Sequence, residues 1–90
     1  MNADAAAVSR VLAGDAAQFS VLVERYLPMA RALCVCHVRD AAAHDDLIQE
    51  AFIACYERLD TLRDRACFGR WFAGIVRNIC RMHLRSDTRR

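Results

Sequence analysis

Between Phe68 and Arg85 the chain reads FGRWFAGIVRNICRMHLR, and the spacing of its apolar residues admits one regular structure. Phe68, Phe72, Ile75, Val76, Ile79 and His83 recur so that, at about 3.6 residues per turn, they gather on one side of a helix. Arg70, Arg77, Arg81 and Arg85 then fall within roughly a quarter-turn of one another on the opposite side. One side requires a core and the other attracts anions. Trp71 and Asn78 lie on the border between them, placing a flat ring and an amide that both donates and accepts beside a cationic stripe. Such a border can stack on and read a nucleobase; an amphipathic helix with solvated arginines is the plainer reading of the same pattern.

The remainder of the chain reads as further helices. An alanine-rich segment from Asp4 to Leu12 is expected to be a short helix, with Asp4 available as its cap and Gly14 as its stop. Asp15 and Gln18 form a D-x-x-Q variant of the capping box, from which Phe19, Leu22, Val23, Tyr26, Ala30 and Leu33 carry one apolar face to about His37. Pro28 falls inside that run, where it removes a hydrogen bond and crowds the Glu24 carbonyl, so a kink or two abutting helices are expected. Val38 to Asp40 reads as a turn, with Asp40 capping a third helix to about Leu59. Leu47, Ile48, Ala51, Phe52, Cys55 and Leu59 would be its buried face. Asp46, Gln49, Glu50, Ile53 and Glu57 point the other way: an acidic, solvated face, or an interface for a basic helical partner with Ile53 at its centre. The loop Asp60–Ala66 leads to the arginine-bearing helix, with Asp64 as cap. No strand pattern occurs, so the expected fold is all-α: three long helices and a short N-terminal one in a compact bundle.

Ninety residues support one domain with one core. No apolar run approaches a membrane span of about 18 residues, and MNADAAAVSR lacks the layout of a signal peptide, so a cytoplasmic protein is expected. Five cysteines at no repeating spacing fit a reducing compartment and buried free thiols. The net charge of +2 is unevenly placed. Residues 1–62 carry five arginines against nine carboxylates, a balance of −4, whereas residues 63–90 carry eight against two, a balance of +6. A basic end suits phosphate contacts and an acidic body suits a protein partner, which implies two separate contacts. Cys34-Val35-Cys36-His37 lacks a second pair to complete a metal site, and His37, His44 and His83 have no convergent acid or nucleophile in sequence. Neither a cofactor nor an enzymatic role is expected.

Three blocks in order carry a family resemblance. Gly14-Asp15 with Phe19, Leu22 and Arg25-Tyr26, then DDLIQEAFIACY (Asp45 to Tyr56), then FGRWFAGIVRN (Phe68 to Asn78) with His83-Leu84-Arg85, resemble region 2 of bacterial sigma factors, nearest to the extracytoplasmic-function group, from about residue 14 to 85. The resemblance implies a transcription-initiation domain that docks on the clamp helices of the largest RNA polymerase subunit and captures the melted non-template strand of the minus-ten promoter element. Asp46, Gln49, Glu50 and Ile53 match the polymerase-binding helix. Residues Leu62 to Cys67, including Arg63, Asp64 and Arg65, match the base-capturing loop, and Asn78 matches the edge of its pocket. Arg70, Arg77, Arg81 and Arg85 become phosphate contacts or neighbours of the strand, with Trp71 divided between packing and DNA contact. An anti-sigma factor covering the acidic face and the arginine stripe is the other partner implied, and defines the alternative reading of the chain as a protein-interaction module.

The chain departs from the family pattern in several places. Asp64-Arg65 stands where a glycine and an acidic residue are common, Ala73-Gly74 where larger aromatic and basic residues are common, and Met82 where an acid is frequent. Region 4, the helix-turn-helix domain that the resemblance implies after region 2, does not occur within these 90 residues; an excised domain, or a single-domain relative binding promoter DNA weakly, is the corresponding expectation.

Overall fold

The structure, a computed structural model, describes the backbone of residues 2–88 and the side chains of residues 2–86. Arg89 and Arg90, counted above with the basic end, lie outside the described residues. Four α-helices follow one another: α1 (Ala3–Leu12), α2 (Phe19–His37), α3 (His44–Arg58) and α4 (Phe68–Thr88). No strand occurs among the described residues. The all-α bundle of three long helices and one short one is therefore as the sequence pattern requires. Single 3-10 turns at Ala16–Gln18, Ala41–Ala43 and Arg65–Cys67 lead directly into α2, α3 and α4, and a fourth, Leu59–Thr61, follows α3.

The helix starts differ in detail from the expected caps. Asn2, not Asp4, caps α1, its Oδ1 accepting from Ala5 N at 2.7 Å. Asp4 is committed elsewhere: its carboxylate accepts from both the Arg25 guanidinium and the Tyr26 hydroxyl on α2. The capping box at Asp15 does not form, because its side chain makes no cap bond and the intervening 3-10 turn moves the start of α2 to Phe19. Asp40 and Asp64 do act as caps, but of the 3-10 turns, accepting from Ala42 N and Ala66 N at 3.1 Å each. Gly14 ends α1 as expected, with φ 110°, a backbone conformation that costs a glycine little. Pro28 does not divide α2, which continues from Phe19 to His37. Pro28 and Glu24 both lie on the exposed side, where water can satisfy the carbonyl that loses its partner.

Every residue assigned to the buried face of α3 is buried: Leu47, Ile48, Ala51, Phe52, Cys55 and Leu59. On α4, Phe68, Phe72 and Val76 are buried, and Ile75, Ile79 and His83 are half-buried. The buried arc of α4 is wider than expected on one side, since Ala73 and Cys80 also lie in the core. Cys80 reaches α2, where its sulfur is 3.8 Å from that of Cys34. Aromatic contacts unite the helices: Phe72 stacks on Phe52 with ring centroids 4.7 Å apart and on Phe68 at 5.8 Å, while Tyr26 meets Phe68 edge-on at 5.1 Å. Three thiols are buried, Cys34, Cys55 and Cys80, whereas Cys36 is exposed and Cys67 half-buried, so burial explains only part of the cysteine content.

Gly69 is required by this packing. A Cβ there would lie 2.8 Å from the Tyr26 hydroxyl oxygen and 3.1 Å from its ring, and Tyr26 cannot retreat while Asp4 holds its hydroxyl. Gly69→Ala is expected to destabilise the domain by about 1–3 kcal/mol in denaturant titration. Adding Tyr26→Phe should recover part of that loss, because it removes the atom of closest approach.

The core also sets a pH limit. Burial and the bond to Asp4 push the Tyr26 hydroxyl up to about 12 from 10.0. Burial pushes the Cys55 thiol up to about 12, and burial together with Cys80 pushes Cys34 up to about 11, both from 9.0. The unfolded chain therefore loses these protons first. Stability should hold below about pH 9 and decline as pH rises through about 12, a slope that Tyr26→Phe and Cys55→Ala should reduce when unfolding is followed across that range.

Candidate nucleic-acid interface

Packing Phe68, Phe72 and Val76 inward turns the arginine stripe outward. Arg70, Arg77 and Arg81, with Arg85 beyond them, are all exposed on α4. Among the described residues the ion pairs are Arg25–Asp4 and Arg31–Asp45, the latter at 3.1 Å, so no described carboxylate neutralises the stripe. Four guanidiniums along one helical face concentrate positive charge, and the attraction of such a face for a polyanion falls with salt.

At the N-terminal end of α4 the preceding loop folds into a pocket of about 350 Å³. Leu62, Arg63, Asp64, Cys67, Arg70 and Trp71 are among the residues that line it. Its shape is held from two sides. Asp64 caps the turn and accepts from the Cys67 thiol at 3.3 Å, an interaction that, with the Asp64 charge, raises the thiol's pKa. Helix α1 buttresses the outside: Asn2 Nδ2 donates to Ala66 O at 3.3 Å, and Arg65 Nη1 donates to Ser9 Oγ at 2.7 Å. Arg65 is thereby turned toward α1 and is absent from the pocket lining, unlike its neighbours Arg63 and Asp64.

Trp71 is half-buried, its ring 6.0 Å from that of Phe68, and it also walls a second depression. This groove, of about 480 Å³, runs between α3 and α4. Trp71, Gly74, Asn78 and Met82 supply its α4 wall, and Glu50, Ala54 and Arg58 its α3 wall. The arrangement brings Trp71 and Asn78 together with Arg70 and Arg77 on adjacent strips of α4, but puts Asn78 in the groove and not in the loop pocket.

On α3, Asp46, Gln49, Glu50 and Ile53 are exposed together, with Ile53 at 52% exposure. An apolar slot of about 450 Å³ adjoins them, where Phe19 and Val23 of α2 meet Phe52, Ile53 and Tyr56 of α3. The acidic face and the arginine stripe thus occupy different sides of one bundle, joined at Glu50, which belongs to the first and lines the groove.

The sequence profile of Sigma-70 region 2 matches residues 22–90. The chain belongs to that family. The RNA polymerase sigma-H factor of Pseudomonas aeruginosa is 37% identical over 83 residues, covering 92% of this chain and 43% of that protein. The ECF RNA polymerase sigma-E factors of Escherichia coli K12 and Haemophilus influenzae are 34% and 33% identical, each covering 97% of this chain and 45% and 46% of those proteins. These likenesses put the domain in the ECF group. The chain spans less than half the length of the curated relatives it matches.

Several features of this region 2 domain are outside what the sequence pattern brought forward. The α3 wall of the groove, Glu50, Ala54 and Arg58, follows an i, i+4, i+8 row that periodicity could have supplied, whereas its facing α4 required the fold. That Phe19, Val23 and Tyr56 together form a slot likewise required the fold. Among the described residues no helix is long and apolar enough to cross a membrane, and no set of three His, Cys, Asp or Glu side chains converges on a metal site.

Gly74, which stands where larger residues are common in the family, is exposed, and a Cβ there would meet no atom within 4 Å. Gly74→Ala should therefore stabilise the region 2 domain by up to about 1 kcal/mol, read as a higher urea midpoint at unchanged slope.

Proposed function

We propose that this domain is the promoter-capturing and polymerase-docking part of an ECF sigma factor, acting as an initiation factor and not as an enzyme. The observation that carries the reading is the loop pocket beside an arginine stripe that no described carboxylate neutralises, with Trp71 at their junction. The melted non-template strand of a minus-ten element lays its phosphates on Arg70, Arg77, Arg81 and Arg85, and one unstacked base enters the pocket between Arg63, Asp64 and Trp71. Swinging a base out of a duplex costs a few kcal/mol. A site that accepts only the open strand offsets that cost by stacking, which contributes about 1–3 kcal/mol per base, and by charge. Binding energy alone then biases the promoter toward melting, with no nucleotide hydrolysis.

Asp46, Gln49, Glu50 and Ile53 form the surface for the RNA polymerase core, an acidic rim around an exposed isoleucine with the apolar slot alongside. Helix α1 serves the DNA side indirectly, since its contacts to Ala66 and Arg65 hold the loop in shape. An anti-sigma factor that covered either surface would inhibit by competition.

Anisotropy titrations with end-labelled single-stranded minus-ten-like oligonucleotides, with and without polymerase core, test both surfaces. Binding should be base-selective, salt-sensitive and tighter with core. Arg77→Glu with Arg81→Glu should weaken strand binding by about tenfold or more, lower the salt slope by roughly 1–2, and leave core binding intact. Asp46→Arg with Ile53→Arg should do the reverse. Unchanged strand affinity in the first variant would remove α4 from the strand path, and normal core assembly in the second would remove α3 from the docking surface.

A further inference from the structure

The two internal glycines of α4 have opposite relations to the fold. At Gly69 a Cβ would collide with Tyr26, whereas at Gly74 it would meet nothing within 4 Å. Glycine in a helix interior is less favourable than alanine, and no contact among the described residues accounts for the missing side chain at Gly74. Gly74 is exposed and has Arg70, Arg77 and Arg81 around it, so it leaves a hole in a cationic row. Ile53 on α3 is its counterpart. That side chain is 52% exposed and has Asp46, Glu50 and Glu57 around it, a knob in an anionic row.

The two rows are mirror images in their spacing. Asp46, Gln49 and Glu50 precede Ile53 by seven, four and three residues, and Glu57 follows it by four. Arg81, Asn78 and Arg77 follow Gly74 by seven, four and three, and Arg70 precedes it by four. When two helices pack antiparallel, a residue some positions before the crossing point lies level with the residue as many positions after it on the other helix. With Ile53 over Gly74, Asp46 is level with Arg81, Glu50 with Arg77, and Glu57 with Arg70. Gln49 is level with Asn78, amide beside amide. Each of the three carboxylates thus has a guanidinium within reach of its long stem, along roughly 16 Å of helix. A glycine at the crossing lets the two axes approach closely, since helix spacing is set by the side chains at the contact.

Both rows point outward from one bundle, so a single chain cannot bring them together. Among the described residues none of their charged groups is engaged in an ion pair. We propose that α3 of one copy docks antiparallel on α4 of a second copy, with Ile53 seated at Gly74 and the two charged rows in register. The contact is heterologous, so a copy held by one face still offers the other. It goes beyond the function proposed above and uses the same two faces. A self-associated domain therefore has its strand-binding and polymerase-binding surfaces covered by its own kind, and either partner must displace a copy to bind. One helix pair is a small interface and exposed ion pairs are individually weak, which makes the contact reversible.

Sedimentation of the domain alone, without polymerase or DNA, tests this. Its weight-average mass should rise with concentration around roughly 100 µM in low salt and return to that of the monomer at about 0.5 M salt. Asp46→Arg with Glu50→Arg, and Arg77→Glu with Arg81→Glu, should each weaken association by about tenfold or more. An equimolar mixture of these two variants should associate again, because the intact face of each meets the intact face of the other. Gly74→Leu fills the hole while leaving every charge in place, and it should prevent association as well. A domain that stays monomeric in low salt, association indifferent to Gly74→Leu, or a mixture of the charge variants that stays monomeric would each overturn the contact. None of these results bears on the oligonucleotide and core titrations, and failure of those titrations would leave the self-contact standing.

Discussion

Phe72 stacks on Phe52 across the seam between α3 and α4 and on Phe68 one turn earlier in its own helix, and these rings reach α2 through Phe19 and Tyr26. Such ring pairs add about 0.5–1.5 kcal/mol each beyond the area they bury, but geometry is their larger contribution. Side chains on a helix are fixed in angle relative to one another, so seating Phe68 and Phe72 determines where every other residue of α4 points. The arginines must face outward and Trp71 must lie at the edge. A rotation of α4 by one residue's angle would put Trp71 in solvent or an arginine against the core.

The loop pocket depends on a second, smaller device. Most of its lining comes from the segment before α4, with Arg70 and Trp71 of α4 completing it, and α1 supports that segment through Asn2 and Ser9. Helix α1 is itself held on α2 by Asp4 and by the buried Val8. A side chain near the N-terminus thus contributes to a loop some sixty residues later. The acidic face of α3 needs no such buttress, because a regular helix presents Asp46, Gln49, Glu50 and Ile53 together by its period alone.

That contrast also explains what was legible in the sequence. The buried face of α3 and the arginine stripe were readable in full because both are local, repeating at helical spacing over several turns. Asp4 and Asp15 read as caps in the sequence because a cap is judged within four residues. Asp4 instead binds Arg25 and Tyr26, partners more than twenty positions away, and a 3-10 turn displaces the helix start expected at Asp15. Three such turns sit just before helices, and their alanines, glutamine and cysteine carry nothing to distinguish them from a first helical turn. The groove was hidden for a different reason: each wall is a row on one helix, but a cavity exists only where two rows face each other. Gly74, a helix-weakening residue in the sequence, acquires a spatial meaning once Glu50 and Arg58 are opposite it.

Trp71 is the only tryptophan in the chain, and it stands in the partition between the loop pocket and the groove. Its indole is half-buried against Phe68, so its emission is sensitive both to packing in the core edge and to whatever enters on either side. The domain therefore carries its own optical reporter at the place where its two cavities meet. Quenching of one intrinsic fluorophore can follow occupancy in real time, in the unlabelled protein and at natural sequence.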